Sequence, residues 1–376
     1  MKEKNRSILF VSLLISLSSL NLIAPTKMFS EKENRYLKQF PNLSVKSIMS
    51  GEFTSNFESY VTDQFLGRDN WIGLKTLSQL AILKKDNGRV YFGRDDYLFD
   101  ISSGIDEEQF NLNMESINKF IGHVREHNEK MPITALLVPT KTEVLMGKLP
   151  PYTPIIDERE VVENIKNKLD DYIQIIDLIN PLKEHSDDYI YYRTDHHWTT
   201  YGAYYGYKEY MEHIGGKGLG KDEFKINQVS NNFYGTSYRK ANFYNGDPDS
   251  IYSFTHRHPI DYEIISNNQF KSKELYDEKY LNQVDQYSYF LGGDKALIEI
   301  ETSIQNNKTI VVMKDSFANS LIPFLTAHYN KIVIVDTRYY NGSINDLIQN
   351  MDVDEILLLY NVQNFTNEKS FFRFGS

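Results

Sequence analysis

Thr309-Ile310-Val311-Val312-Met313-Lys314-Asp315-Ser316-Phe317 is an apolar run that passes straight into Asp-Ser and then into a second apolar stretch. A strand that feeds a serine at the mouth of a helix exposes that serine at the carboxyl edge of a sheet. Outward from this run, similar short apolar segments recur at Ile133 to Val138, Ile173 to Ile176, Ile332 to Val335 and Ile356 to Leu359. Between them lie helix-patterned stretches: Glu107 to His127, Glu158 to Leu169, Thr200 to His213, Ala318 to Ala327 and Ile344 to Met351. Continuous apolar strands alternating with helices predict an α/β domain of three layers, with a mostly parallel sheet covered on both faces.

A serine hydroxyl at a sheet edge is a weak nucleophile unless a base takes its proton. The densest cluster of proton-handling side chains lies upstream, in Tyr191-Tyr192-Arg193-Thr194-Asp195-His196-His197-Trp198-Thr199-Thr200. There a carboxylate stands two residues from an imidazole, where it orients the ring and stabilises its charged form. In an extended segment Asp195 and His197 share one side, which favours His197 over His196 as the base. Asp195, His196 and His197 are also metal-ligand types, but adjacent histidines diverge and serve one ion poorly, so no metal is expected. Ser316 alone also reads as a helix N-cap, a frequent role for serine after a strand. Asp315 reads as a cap or turn residue rather than a catalytic one. His256 and His258 have ligand-like spacing without an obvious third partner, and read as surface residues. Trp198 reads as packing beside the site, with sugar stacking as the alternative. Gly202 and Gly206 allow a close approach to the helix that follows the motif. Lys141, after the first buried strand, falls at the carboxyl edge, either holding the site together or meeting an anion.

The whole chain divides into three parts. Residues 1–28 carry Lys2, Lys4 and Arg6 before an apolar stretch from Ile8 to Ala24, the pattern of a signal peptide or a signal-anchor. The basic end stays cytoplasmic, so the chain beyond it lies outside. Residues 29–85 read as a helical arm, with Phe53, Phe57, Tyr60 and Val61 at helical spacing. Residues 86–376 form the α/β domain, opening with a hairpin that turns at Gly93 to Asp96. Within it, residues 215–294 are rich in Gly, Asn, Asp, Tyr and Ser and weak in periodicity, and read as a loop-rich insertion with short antiparallel strands, placed where a lid or substrate wall could sit. The net charge of −10 argues against nucleic acid as a partner. The chain has no cysteine, which removes disulfides, thiolate metal sites, a cysteine nucleophile and a lipoprotein anchor.

Asp195-His196-His197-Trp198 resembles the signature of the bacterial DHHW family. Gly93-Arg94-Asp95-Asp96-Tyr97-Leu98-Phe99, Val138-Pro139-Thr140-Lys141, Lys314-Asp315-Ser316-Phe317, Val335-Asp336-Thr337-Arg338-Tyr339-Tyr340 and Leu359-Tyr360-Asn361 extend the match. That family is similar to the AlgJ/AlgX-like proteins of alginate O-acetylation. The resemblance implies an SGNH-hydrolase-like fold in permuted order, with Asp-x-His before the serine. It implies Ser316 as nucleophile, His197 as base and Asp195 as its orienting acid, with no cofactor. Arg338 and the Ser316 backbone N–H become the oxyanion donors. His196, Tyr360, Asn361, Lys141 and Trp198 are secondary site residues. The implied activity is an exported O-acyltransferase, most naturally an O-acetyltransferase, acting on a polysaccharide. Its implied partners are that acceptor, a membrane-bound O-acyltransferase as acetyl donor, and the membrane through the N-terminal segment. An extracellular carbohydrate acetylesterase with the same triad, or a non-catalytic polysaccharide-binding protein, are the alternatives.

Overall fold

A computed structural model describes residues 2–30, 35–242 and 246–375. Glu31 to Asn34, where the helical arm was expected to begin, and Phe243 to Asn245, inside the expected insertion, lie outside the described residues. The chain forms two compact units, Met1–Asn87 with Tyr238–Asn245, and Gly88–Ser237 with Gly246–Ser376.

The first unit is helical. It holds Lys2–Ile23, Val45–Met49, Glu52–Gln64 and Arg68–Ala81. Phe53 and Phe57, four residues apart on one helix, stack at 5.9 Å, and Phe40 meets both edge-on. The carboxylate of Asp63 anchors the preceding loop by accepting from the Lys38 amide at 2.8 Å. Among the described residues no helix is long and apolar enough to cross a membrane.

The second unit is built on an eight-stranded sheet. In chain order its strands are β1 (Ile133–Val138), β2 (Ile173–Asp177), β3 (Tyr262–Ser266) and β4 (Phe270–Ser272), then β5 (Leu297–Thr302), β6 (Thr309–Lys314), β7 (Lys331–Val335) and β8 (Glu355–Asn361). Their spatial order is β4-β3-β5-β7-β6-β8-β1-β2. The five strands from β7 to β2 are mutually parallel. The three at the other edge are antiparallel. Register is set by burial on both faces, because a slip of one residue would exchange them. Val312 pairs with Ile334 on one side and Leu357 on the other, and all three are fully buried. Even-numbered β6 residues face the helix Thr200–His213, where Tyr207 and Tyr210 are completely covered. Val311 and Met313 face the opposite layer, where Ile117 and Phe120 of helix Glu107–His127 are buried. Each such side chain contributes roughly 1.5–3 kcal/mol of transfer free energy.

Residues 215–294, expected as loops and short antiparallel strands, also contribute strands to the main sheet. Phe224–Phe233 pairs antiparallel with Asp249–His256, and β3 and β4 extend the main sheet. The helix expected over Ala318 to Ala327 is instead a 3-10 turn, Ser316–Ser320, followed by a short helix, Ile322–Leu325. Pro323, in the first turn of that helix, lacks the N–H that would continue a single helix through it.

Candidate active site

Strand β6 ends at Lys314, and the backbone turns at Asp315. The Asp315 side chain caps the 3-10 turn by accepting from the Phe317 amide at 2.9 Å. The cap is therefore Asp315, which leaves the Ser316 hydroxyl available. Asp315 also accepts from the Asn361 amide and from Asn364 Nδ2, each at 2.8 Å. Burial raises its carboxyl above the usual range, opposed by these three hydrogen bonds. Ser316 opens the turn, where a backbone N–H has no partner within its own helix.

The motif is folded into a tight loop rather than an extended strand. Tyr191 bridges Trp198, and the Thr199 amide donates to the Ile190 carbonyl at 2.9 Å, closing it at the base. Two buried groups shape its tip. Lys141 Nζ donates to the carbonyls of Tyr192, Arg193 and Asp195 at 3.2, 3.3 and 2.6 Å. Asp249 accepts from the Arg193 and Thr194 amides at 2.9 and 2.7 Å, and from the Thr194 hydroxyl at 2.6 Å. The chain reverses here, so Asp195 meets His197 through a turn and not through strand alternation. Asp195 Oδ1 accepts from the His197 amide at 3.0 Å and from His197 Nδ1 at 2.6 Å.

Folding brings this loop to the end of β6. His197 Nε2 lies 2.7 Å from Ser316 Oγ, across 119 positions of sequence. With Nδ1–H committed to the carboxylate, Nε2 is the accepting nitrogen, and the Ser316 hydroxyl donates to it. Burial disfavours charge on Asp195, but the His196 and His197 rings outweigh it. Together with hydrogen bonds from His197 and Thr236 they hold the acid well below its usual range. Asp195 Oδ2 accepts from the Thr236 amide at 2.7 Å and from its hydroxyl at 3.1 Å. Asp195, His196 and His197 place potential ligand atoms within 4.8 Å of one another. Both ring nitrogens of His197 and both oxygens of Asp195 are nevertheless occupied by the contacts just described.

The other expected site residues divide. Trp198 is completely buried, and its Nε1 donates to the Phe317 carbonyl at 2.9 Å, so it packs the Ser316 turn instead of presenting a stacking surface. A Cβ on Gly202 would lie 2.3 Å from the Ile190 carbonyl, and one on Gly206 would lie 2.9 Å from the Trp198 ring. These glycines let the helix close onto the motif. His196 lies against His197 at 3.8 Å with the rings tilted by 38°, and bonds Thr236 Oγ1 through Nδ1 at 2.6 Å. His256 bonds to Pro323 and Thr326, whereas His258 is exposed beside Glu223.

Tyr360 and Asn361 require correction. Strand alternation sends their side chains to opposite faces. Tyr360 enters the layer of Phe365 and Phe371. Asn361 is consumed as an N-cap for the Gln363 amide and as a donor to the Val138 carbonyl. Arg338 is held by Asp336 through two hydrogen bonds at 2.9 and 2.6 Å, and by Asp294 at 2.9 Å. Buried Lys314 joins both acids, at 2.6 Å to Asp294 and 3.1 Å to Asp336. Despite burial, Lys314 and Arg338 hold the Asp294 carboxyl far below its usual range.

Sequence reasoning missed Gly235, Thr236, Asp249 and Tyr287, all within the stretch read as an insertion. A Cβ on Gly235 would lie 2.2 Å from Asp195 Cβ, so only glycine fits there without displacing the acid. Tyr287 stacks on the His197 ring at 3.9 Å with an interplanar angle of 5°.

Comparison with solved structures finds the same fold in a DHHW family protein from Eubacterium siraeum DSM 15702. Identity is 24%, the TM-score 0.64, and coverage 74% of this chain and 91% of that one. It is found again in Bacillus cereus PatB1 with a sulfonyl adduct, at 22% identity and a TM-score of 0.65, covering 76% and 98%. Comparison with curated proteins finds no match. The family model described as DHHW protein matches this chain over residues 155–335, a span that includes Asp195-His196-His197-Trp198 and Ser316.

Proposed function

We propose that the protein is an exported, membrane-associated O-acyltransferase, specifically an O-acetyltransferase of a cell-surface or secreted polysaccharide, on a permuted SGNH-hydrolase-like fold. The observation that carries this reading is the unbroken Ser316–His197–Asp195 chain of hydrogen bonds, 2.7 and 2.6 Å long. As Ser316 Oγ attacks an acetyl carbonyl, its proton passes to His197 Nε2, and Asp195 stabilises the resulting imidazolium. The tetrahedral oxyanion is met by the Ser316 amide at the head of the turn, an interaction worth roughly 3 kcal/mol in other enzymes. Collapse forms the Ser316 acetyl ester, and the departing oxygen takes the proton from His197. A sugar hydroxyl then gives its proton to His197 as it attacks the ester, and on collapse His197 returns that proton to the departing Ser316 Oγ. Arg338, locked with Lys314 to two acids, serves this reading better as part of a charge-balanced framework at the sheet edge than as a mobile oxyanion donor. The acetyl donor in this reading is a membrane-bound O-acyltransferase, and the N-terminal segment keeps the site beside it by raising effective concentration.

The test is treatment with an aryl sulfonyl fluoride, the type of reagent that leaves a sulfonyl adduct, with mass mapping of the labelled residue. Labelling is expected at Ser316 and is expected to vanish in His197→Ala. An unlabelled Ser316 in the intact protein sinks the acyl-enzyme. Product partition from an aryl acetate, with and without oligosaccharide, separates transfer from the hydrolysis of an esterase.

A further inference from the structure

We propose that Tyr287 is a positioning residue that sets the alignment of base and nucleophile, an inference that rests on the acyl-enzyme reading above. Its ring lies flat on His197, and its hydroxyl donates to the Ser316 carbonyl at 3.1 Å and bonds Ser320 Oγ at 3.3 Å. One side chain therefore touches both partners of the 2.7 Å proton-transfer contact.

The need for such a residue follows from what else surrounds the imidazole. Asp195 fixes one ring edge through Nδ1, and Ser316 meets the opposite edge. Those two in-plane contacts leave rotation about the line joining them unopposed. The faces are covered by rings: Tyr287 at 3.9 Å, His196 at 3.8 Å tilted by 38°, and Phe317 at 4.9 Å tilted by 58°. Among these, Tyr287 is the one parallel to His197. The charged or titratable groups facing the ring are Asp195, His196 and Tyr287, and burial raises the Tyr287 phenol well above its usual value, so it stays neutral. Tyr287 is itself braced edge-on by Tyr192 of the motif loop at 6.3 Å and tilted against Phe290 at 5.3 Å, so its plane is fixed by packing from both the loop and its own segment.

The test compares Tyr287→Phe with Tyr287→Leu in the full chain. Tyr287→Phe keeps the face and loses the tie to the nucleophile's carbonyl. Tyr287→Leu loses both. The readouts are the rate of Ser316 sulfonylation and the kcat and KM for an aryl acetate. Tyr287→Leu is expected to react about 100-fold more slowly, the scale of a 1 Å misplacement, with KM unchanged, and Tyr287→Phe roughly threefold to tenfold more slowly. A Tyr287→Leu rate within threefold of the parent overturns the proposal. So does a Tyr287→Phe rate as low as that of Tyr287→Leu, because the ring face then contributes nothing. A second measurement is independent of catalysis: the low-field proton resonance of the His197 Nδ1–H bonded to Asp195. It is expected to persist in Tyr287→Phe and to be lost or broadened in Tyr287→Leu. If the parent protein fails to react but this difference holds, the acyl-enzyme reading falls and the positioning role stands. If the resonance is the same in both variants, the positioning role falls. Should Tyr287→Leu not fold, Tyr287→Phe decides, since a loss beyond 100-fold with the ring retained also overturns the proposal.

Discussion

Asp195→Asn isolates the acid that orients the base in the proposed triad. Its carboxylate accepts four hydrogen bonds, two from His197 and two from Thr236. An amide of the same shape has one accepting oxygen and two donating hydrogens, so it cannot satisfy both sides. If the oxygen turns to Thr236, the NH2 faces His197 Nδ1, and the ring proton moves to Nε2. That nitrogen then opposes the Ser316 hydroxyl instead of accepting from it. If the oxygen turns to His197, the buried Thr236 amide is left against a second donor, at a cost of about 1–3 kcal/mol. The same substitution in a comparable triad lowers kcat by ~10⁴, or about 5 kcal/mol of barrier. Steady-state hydrolysis of an aryl acetate should therefore fall by ~10³–10⁴, while urea unfolding reports a stability loss of no more than about 3 kcal/mol. A variant within tenfold of the parent rate, in a preparation where Ser316→Ala has reached background, would refute the proposed role of Asp195.

Gly235→Ala should cut kcat by about 100-fold or more, because its Cβ would enter the space of Asp195 and tilt the acid away. Kinetics on a variant with unchanged circular dichroism checks this. Lys141→Met strips three loop carbonyls of a buried cation and should cost about 2–4 kcal/mol in urea unfolding, with activity lost alongside. Equal stability would show that the loop holds its shape without it. Glu158 makes stability depend on pH. Burial is the main cause that lifts its carboxyl from 4.5 to about 7, against hydrogen bonds from Thr140. The folded protein then keeps a proton that the unfolded chain has released, so stability falls as pH rises from 4.5 through about 7. The gap corresponds to about 3 kcal/mol. Urea unfolding at pH 5 and pH 8.5 should show that decline, and Glu158→Gln should flatten it; an unchanged slope in the variant would assign it elsewhere.

What the sequence disclosed follows from the kinds of signal it carries. The buried parallel strands were legible because burial on both faces forces continuous apolar runs such as Ile310-Val311-Val312-Met313 and Ile356-Leu357-Leu358-Leu359. Asp195, His197 and Ser316 stood out by residue type and by position at element ends. The antiparallel edge was harder to see. Leu297-Ile298-Glu299-Ile300-Glu301 does alternate, but it follows a long polar stretch, and β4 has only three residues, all exposed. Thr236, Asp249 and Tyr287 carried no local signal, since each acquires its role from a partner 29 to 55 positions away. Tyr360 and Asn361 could have been separated by alternation alone, because neighbours at a strand end cannot both reach one site. For Arg338 the sequence named a cation at the sheet edge, but gave no hint of the two acids that immobilise it.

Ser316 and His197 are drawn from segments 119 residues apart. Closing so long a loop is entropically costly and comes only with the packing that rewards it. While the chain is incomplete or still unfolded, Ser316 is an ordinary alcohol and His197 an ordinary imidazole. The contact between Ser316 and His197 therefore exists only once tertiary packing has joined the two segments, and a chain lacking either one cannot form it.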